Sequence, residues 1–341
     1  MTGWVCCWPV AEIVSAQSVL YQQMKKMTKR KCLYCYQNVN GKEEFHAECS
    51  RKFFGLEKPP VIPYSLDEMA ELAKNVVQRS VTVPGVQPKL SLSLIEEARK
   101  NTDKRLTVVG ALGGEYIFKP PSPDYPEMPA NEHVTMRIAE AYGIPVIHSS
   151  LIRLRSRQLA YITKRIDRTP DGKKAHMLDM FQITEAFDKY KSSMEKVSKA
   201  LGNYSANPLL DKLFLFEIIL FSFLTGNNDM HLKNFSMILR NGKWMLAPAY
   251  DLLNVSIILP EDTEELALTL GGKKRKLARN SFVRFAKESG LNERQIENVF
   301  KRFLKNKPAA IQRIEYSFLS NEMKQKYLAL LEKRFNTIYA G

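Results

Sequence analysis

No stretch of the sequence reaches the roughly 20 consecutive apolar residues that a membrane-spanning helix needs. The greasiest run, LFLFEIILFSFL at 213–224, is a dozen residues long and carries Glu217, so it reads as a core helix and no membrane partner is expected. Cysteine is scarce, with five in 341 residues, an odd number that includes one C-x-x-C. That excludes a secreted disulfide scaffold, fits a reducing compartment and leads to the expectation of a cytoplasmic protein. The opening MTGWVCCWPVAEIVSAQSVL has no basic start and contains Glu12, which makes it a poor secretory leader. Internal repeats, low-complexity tracts and a G-x-G-x-x-G phosphate loop are all lacking. Acidic residues are under-represented: 36 Asp and Glu stand against 51 Lys and Arg, a formal net charge of +15. Such an excess points to an anionic partner, whether a nucleotide, nucleic acid or an acidic protein surface, and says nothing about fold.

What is present falls into segments. Residues 1–28 read as a disordered or detached extension, because Met24 and Met27 offer alternative starts. Residues 29–60 make a small Cys/His module, and Pro59, Pro60 and Pro63 mark a linker. From 61 to 168 the pattern is mostly strands: KLSLSLI alternates in period two, RLTVVGAL and EYIFKP are short β runs separated by Gly113-Gly114, and PVIHSSLIRL and QLAYITKRI follow. NEHVTMRIAEAYG (131–143) carries helical spacing and a terminal glycine. From 169 to 341 helices are expected at 178–187, 192–201, 208–224, 280–289, 292–305, 307–318 and 321–337. The fold class is therefore α+β, a two-lobed architecture with a β-rich N-lobe and an α-helical C-lobe behind the small module.

The stretch TGNNDMHLKNFSMILRNGKWMLAPAYD (225–251) concentrates the chemistry. A buried helix ends near Gly226, so Asp229 lies in a loop. Asn241-Gly242 suits a type I′ hairpin turn, which sets Arg240 opposite Lys243, Ile238 opposite Met245 and Asn234 near Ala249. Asp251 would thus return beside Asn234. Two acids and an amide converging with a lysine and a histidine are the parts of phosphoryl transfer: a base that orients a hydroxyl, and oxygen ligands for Mg²⁺ on nucleotide phosphates. The spacing D-x-x-x-x-N, Asp229 to Asn234, is also that of a protein-kinase catalytic loop. In the other lobe Lys119 ends a strand where an ammonium can reach phosphates, and Glu132 opens the following helix, placed to pair with it. Upstream, Ser80, Thr82, Gly85, Val86 and Gln87 sit in a loop directly before a strand, where a phosphate-covering loop belongs.

These residues carry a resemblance. GVQPKLSL (85–92), YIFKP with NEHVTMRIAEAYGIPV, YITKRIDR (161–168), HMLDMFQI (176–183), TGNNDMHLKNFSMI (225–238) and LAPAYDLL (246–253) occur in the order found in the HipA family of bacterial serine/threonine kinases, the toxins of toxin–antitoxin modules. The sequence resembles that family over roughly 65–335. The resemblance implies Asp229 as catalytic base, Asn234 and Asp251 as Mg²⁺ ligands, and Lys119 on the ATP phosphates. It places Lys164, Arg165, Ile166 and Asp167 at the adenine, with His231 and Lys233 inside the catalytic loop and Lys233 available to neutralise phosphate charge. It further implies autophosphorylation at Thr82 or Ser80, a protein substrate in translation such as an aminoacyl-tRNA synthetase, and a DNA-binding, HipB-like antitoxin that links the kinase to operator DNA. The chain has no room for the additional N-terminal subdomain of the longest members, and its start resembles short relatives that open with a C-x-x-C.

Cys32-x-x-Cys35 and His46-x-x-Cys49 have the spacing of a tetrahedral Zn²⁺ set. Buried metal-free thiols and a redox C-x-x-C are the alternatives. For the whole chain the alternatives to a protein kinase are a non-catalytic kinase-like scaffold that binds zinc and nucleic acid, and a kinase acting on a small molecule or lipid headgroup.

Overall fold

In the computed structural model the described residues are 30–69, 71–72, 89–96, 104–109, 114–169 and 172–340. The expected extension at 1–28 and the loop residues Ser80, Thr82, Gly85, Val86 and Gln87 lie outside them. The chain divides into two compact units, 1–59 and 60–341.

In the first unit, β1 (Arg30–Lys31) and β2 (Asn38–Val39) form a short antiparallel pair, followed by helix α1 (Ala47–Phe54). Regular structure is sparse, so the core is small: Leu33, Tyr34, Val39, Phe45, Phe53 and Phe54 are buried. Phe54 meets Phe45 and Phe53 edge-on, at ring distances of 5.6 and 4.7 Å. Gly55 ends α1 in the left-handed conformation, φ 73°.

The second unit opens with a five-stranded antiparallel sheet in the order β4-β3-β5-β7-β6, built from β3 (Leu90–Glu96), β4 (Lys104–Val109), β5 (Tyr116–Lys119), β6 (Ser149–Arg153) and β7 (Leu159–Lys164). Helix α2 (Met128–Ala141) packs on β6 and β7 with one face and on the helical lobe with another. Being covered on both sides, it is buried through most of its length, polar Asn131, Glu132, His133 and Thr135 included. Asn131 and Thr135 carry hydrogen bonds between the lobes. Asn131 exchanges two bonds with the Asn254 backbone (2.9 and 2.8 Å), and Thr135 meets the Tyr327 hydroxyl at 2.9 Å.

The helical lobe is centred on α5 (Pro208–Thr225), apolar all round its C-terminal half and accordingly enclosed, with α4 (Met194–Tyr204) and α8 (Asn321–Tyr339) against it. Strand β8 (Met177–Asp179) joins β9 (Ser236–Arg240) and β10 (Lys243–Leu246) in a three-stranded sheet, and Asp179 caps the single-turn helix α3 (Met180–Ile183) through a reciprocal bond with Gln182. Helices α6 (Arg279–Glu288) and α7 (Glu293–Tyr316) complete the lobe.

Three local expectations are corrected. The helix expected at 178–187 shrinks to the single turn α3, since Leu178 and Asp179 pair with β9 and residues 184–187 are turn and loop. The two helices expected at 292–305 and 307–318 are one, α7, which runs through Pro308; burial of Phe303, Ala310 and Ile314 along one face holds it together despite the lost N–H. The hairpin register holds, with Arg240 opposite Lys243 and Ile238 opposite Met245, but the ladder does not reach Asn234 and Ala249. Pro248 has no N–H to donate, Asn234 lies in a 3₁₀ turn, and Ala249 instead bonds to Pro145 and Ile147 (2.8 and 3.1 Å). Among the described residues no helix is long and apolar enough to cross a membrane.

Candidate active site

The end of α5 builds the first wall of the site. Gly226 takes φ 71°, and the Gly226 and Asn227 amides return to the Phe223 and Ser222 carbonyls, a Schellman-type stop. A Cβ at 226 would collide with Leu330 Cδ2 and lie 2.6 Å from Asn254 Oδ1, so only glycine lets the chain turn here. The loop that follows is fixed by its own polar groups. The Asn227 side chain accepts from the Asp229 amide (3.3 Å), and Asn234 Nδ2 donates to the Asp229 carbonyl at 2.8 Å. That bond orients the amide and leaves its Oδ1 available to a ligand. After β10, Tyr250 bonds to Ser236 Oγ (2.5 Å) and to the Lys233 carbonyl (3.0 Å), tying the loop to the segment that carries Asp251. Asp251 itself is left-handed, φ 55°, a conformation that carboxylates tolerate better than most side chains.

Asp229, His231, Lys233, Asn234, Asp251, Lys119 and Glu132 all line one cavity of about 470 Å³. Lys119 reaches it from β5 and Glu132 from α2. Lys119 Nζ donates to Glu132 at 2.6 Å and pairs closely with Asp251, while Lys89 Nζ donates to the other Asp251 oxygen at 2.8 Å. Burial opposes charge on Lys119, but Asp251 and Glu132 keep its pKa above the ordinary lysine value. For Asp251 burial is likewise overcome, by Lys119 and then Lys89, and its pKa lies far below the carboxylate range. Burial does prevail at Glu132, pushing it up to about 6 against the pull of Lys119. The firm ion pair is therefore Lys119–Asp251, with Glu132 as the buried second acceptor. Burial also lowers His231, offsetting the pull of Asp229, so its ring is neutral at pH 7. Lys233 lies over the Phe181 ring at 4.8 Å.

Other residues take part without a sequence signal. Tyr190 donates its hydroxyl to Asp229 Oδ1 at 2.7 Å and packs edge-on against His231; nothing in a lone loop tyrosine announces that. Lys89 was not singled out in the sequence, although its place at a strand start is the kind of signal that Lys119 gives at a strand end. Asp179 also lines the cavity, its pKa raised by burial. The segment 164–167 does not line the cavity. Asp167 is engaged by Arg165 (2.9 and 2.7 Å) and Arg168 (2.7 Å), and the Arg165 amide bonds to Glu115.

Two carboxylates and an amide oxygen facing one cavity form an all-oxygen donor set, with Asp251 held ionised, and that chemistry fits Mg²⁺. A second, different donor set lies in residues 30–59, where Cys32, Cys35, His46 and Cys49 cluster.

The sequence model of the HipA-like C-terminal domain matches residues 81–311. The chain belongs to the HipA-like C-terminal domain family. A relative from Haemophilus influenzae, named as an inferred kinase, is 28% identical over 326 residues, 87% of this chain and 90% of that protein. The serine/threonine-protein kinase toxin HipA of Shewanella oneidensis is 29% identical over 206 residues, 54% of this chain but only 45% of that protein. The solved complex of Shewanella oneidensis MR-1 HipA with HipB and operator DNA matches with a TM-score of 0.64 at 22% identity, over 79% of this chain and 71% of that one. The sheet, the covering helix α2 and the helical lobe are thus the HipA-like kinase fold, and the family relatives are named as kinases.

Proposed function

We propose that this HipA-like protein is an ATP- and Mg²⁺-dependent serine/threonine protein kinase. The observation that carries the reading is the meeting of Asp229, Asn234, Asp251 and Lys119 on one cavity, although they come from a loop, a turn, a post-hairpin segment and a strand of the other lobe. In the reaction the bond between the γ-phosphorus and its bridging oxygen breaks, a bond to the substrate hydroxyl oxygen forms, ADP leaves, and the hydroxyl proton passes to the Asp229 carboxylate. Asp229 already accepts a hydroxyl, that of Tyr190, at 2.7 Å, within the range that proton transfer requires. Asn234 and Asp251 would hold Mg²⁺, which supplies neutralisation of phosphate charge. Lys119, kept charged by its carboxylate neighbours, would contact the phosphates.

The substrate class follows from the family resemblance: a Ser or Thr of a translation component, an aminoacyl-tRNA synthetase being the example. The Shewanella complex with HipB and operator DNA supports a toxin role with a DNA-binding antitoxin, and the +15 net charge suits either an operator or a tRNA-bound substrate. Autophosphorylation is proposed at Thr82 or Ser80, where a dianion would repel ATP or recruit basic side chains.

The test is ADP release and intact mass of wild type and Asp229→Asn after incubation with Mg²⁺-ATP, followed by site mapping. Turnover should fall by about 10²-fold or more in the variant, and a phosphate between residues 76 and 90 should appear in wild type alone. Equal turnover in both proteins would sink the assignment of Asp229, and no phosphate gain in either would leave a substrate-only kinase or a scaffold without this chemistry.

A further inference from the structure

The unit at 30–59 gathers three thiols and an imidazole that the kinase reading does not use. Cys32 and Cys35 sit on a tight turn between β1 and β2. The Cys32 amide donates to the Gln37 carbonyl at 2.8 Å and the Tyr36 amide to the Cys32 carbonyl at 3.0 Å. Closing that turn puts Tyr36 at φ 68°, a conformation that costs a non-glycine residue about 1–2 kcal/mol. His46 is the N-cap of α1, yet its side chain makes no capping bond, and Cys49 follows in the first turn.

The imidazole is turned elsewhere. His46 Nε2 lies 3.0 Å from the Asn38 carbonyl, an acceptor, so Nε2 must carry the proton. Nδ1 then presents its lone pair, and it lies 3.4 Å from Cys35 Sγ and 3.7 Å from Cys49 Sγ. All four ligand atoms are within 4.8 Å of one another. A tetrahedral site with Zn–S about 2.3 Å and Zn–N about 2.0–2.1 Å requires S···N separations of about 3.5 Å, the value that the two measured distances bracket. A carbonyl fixing the far nitrogen of a ligating histidine is the usual second-layer support of such sites.

We propose that residues 30–59 bind one Zn²⁺ through Cys32 Sγ, Cys35 Sγ, Cys49 Sγ and His46 Nδ1. The metal is structural, since four protein ligands leave no open coordination position. A redox role for the C-x-x-C is disfavoured because Cys32 is completely buried and out of reach of a thiol on another molecule. A metal-free thiol cluster requires only pairwise contacts, whereas here four ligands from two separate segments point to one centre. A unit with two-residue strands and one eight-residue helix is also of the size at which metals or disulfides usually substitute for a core.

The full-length chain, purified without chelator and dialysed against metal-free buffer, should hold about one equivalent of zinc by elemental analysis. Zinc below about a tenth of an equivalent would overturn the proposal. Cys49→Ser should lose the metal and His46→Cys should keep it; loss in neither variant would also overturn the assignment. If Cys49→Ser cannot be purified, the cobalt-substituted wild type decides. Intense thiolate charge-transfer and tetrahedral bands are expected, and a weak octahedral spectrum would refute the site. Proton–nitrogen correlation of the His46 ring should show the proton on Nε2; a proton on Nδ1 would refute the ligand set. Phosphoryl transfer by protein that, as purified without chelator, holds no zinc would overturn this inference alone and leave the kinase reading intact.

Discussion

The two compact units hold their polar clusters in opposite ways. In residues 60–341 the ionic group Lys119–Asp251–Glu132 is maintained by a large apolar frame. Phe216, Phe221 and Phe223 of α5 are fully buried, each worth about 1.5–3 kcal/mol of burial, and α2 lies enclosed between sheet and helices. That frame holds charges where water would otherwise scatter them. In residues 30–59 the apolar frame is thin, and the Cys/His cluster joins the turn after β1 to the start of α1. A polar cluster supported by a core is tunable, as the opposed shifts of Glu132 and Asp251 show. A polar cluster that replaces a core is not, because removing any member removes the support.

If that contrast holds, chelation should have the greatest effect. Stripping the metal should abolish hydrogen-exchange protection across 30–59 outright, as in metal-dependent folding generally, while Asp229-dependent ADP release persists. Next comes Asp251→Asn, which removes a proposed metal ligand and leaves Lys119 paired with Glu132. Mg²⁺-dependent nucleotide binding, measured by titration calorimetry, should weaken by about 10–100-fold, with the fold retained. Gly226→Ala should cost about 2 kcal/mol in denaturant unfolding, from the left-handed φ and the collision with Leu330, and should lower activity by displacing the Asp229 loop.

The mildest effect concerns pH. Burial raises the folded-state pKa of Glu132 from 4.5 to about 6. Its contribution to stability is thus complete below pH about 4.5 and is lost as pH rises through about 6. The stability difference between wild type and Glu132→Gln should fall across that window. A flat difference would mean that the pull of Lys119 cancels the effect of burial on Glu132.

Much of this is legible in the sequence. Asn241-Gly242 set the hairpin register, because a type I′ turn leaves little choice of pairing. The run at 213–224 was a core helix because nothing polar but Glu217 and Ser222 interrupts it. Lys119 and Glu132 could be matched because a strand end and the next helix start are near in chain and in space. Tyr190 could not be matched to Asp229, 39 residues apart, since a lone tyrosine in a loop carries no periodic or spacing signal. Pro308 was read as a break because local propensity disfavours it, whereas the buried face of α7 overrides that preference.

Residue order and spacing alone were enough for the α+β layout, for the candidate phosphoryl-transfer loop with its Asp229, Asn234 and Asp251, and for the Cys/His quartet. Those features are local: they depend on turn chemistry, hydrophobic period and short separations that the chain itself imposes. The partners of each charge were settled by folding. Lys89 and Lys119 share Asp251 across the two lobes, Tyr190 caps Asp229, and Asn38 fixes the His46 tautomer, because long-range packing determines which polar groups are left without water and must find one another.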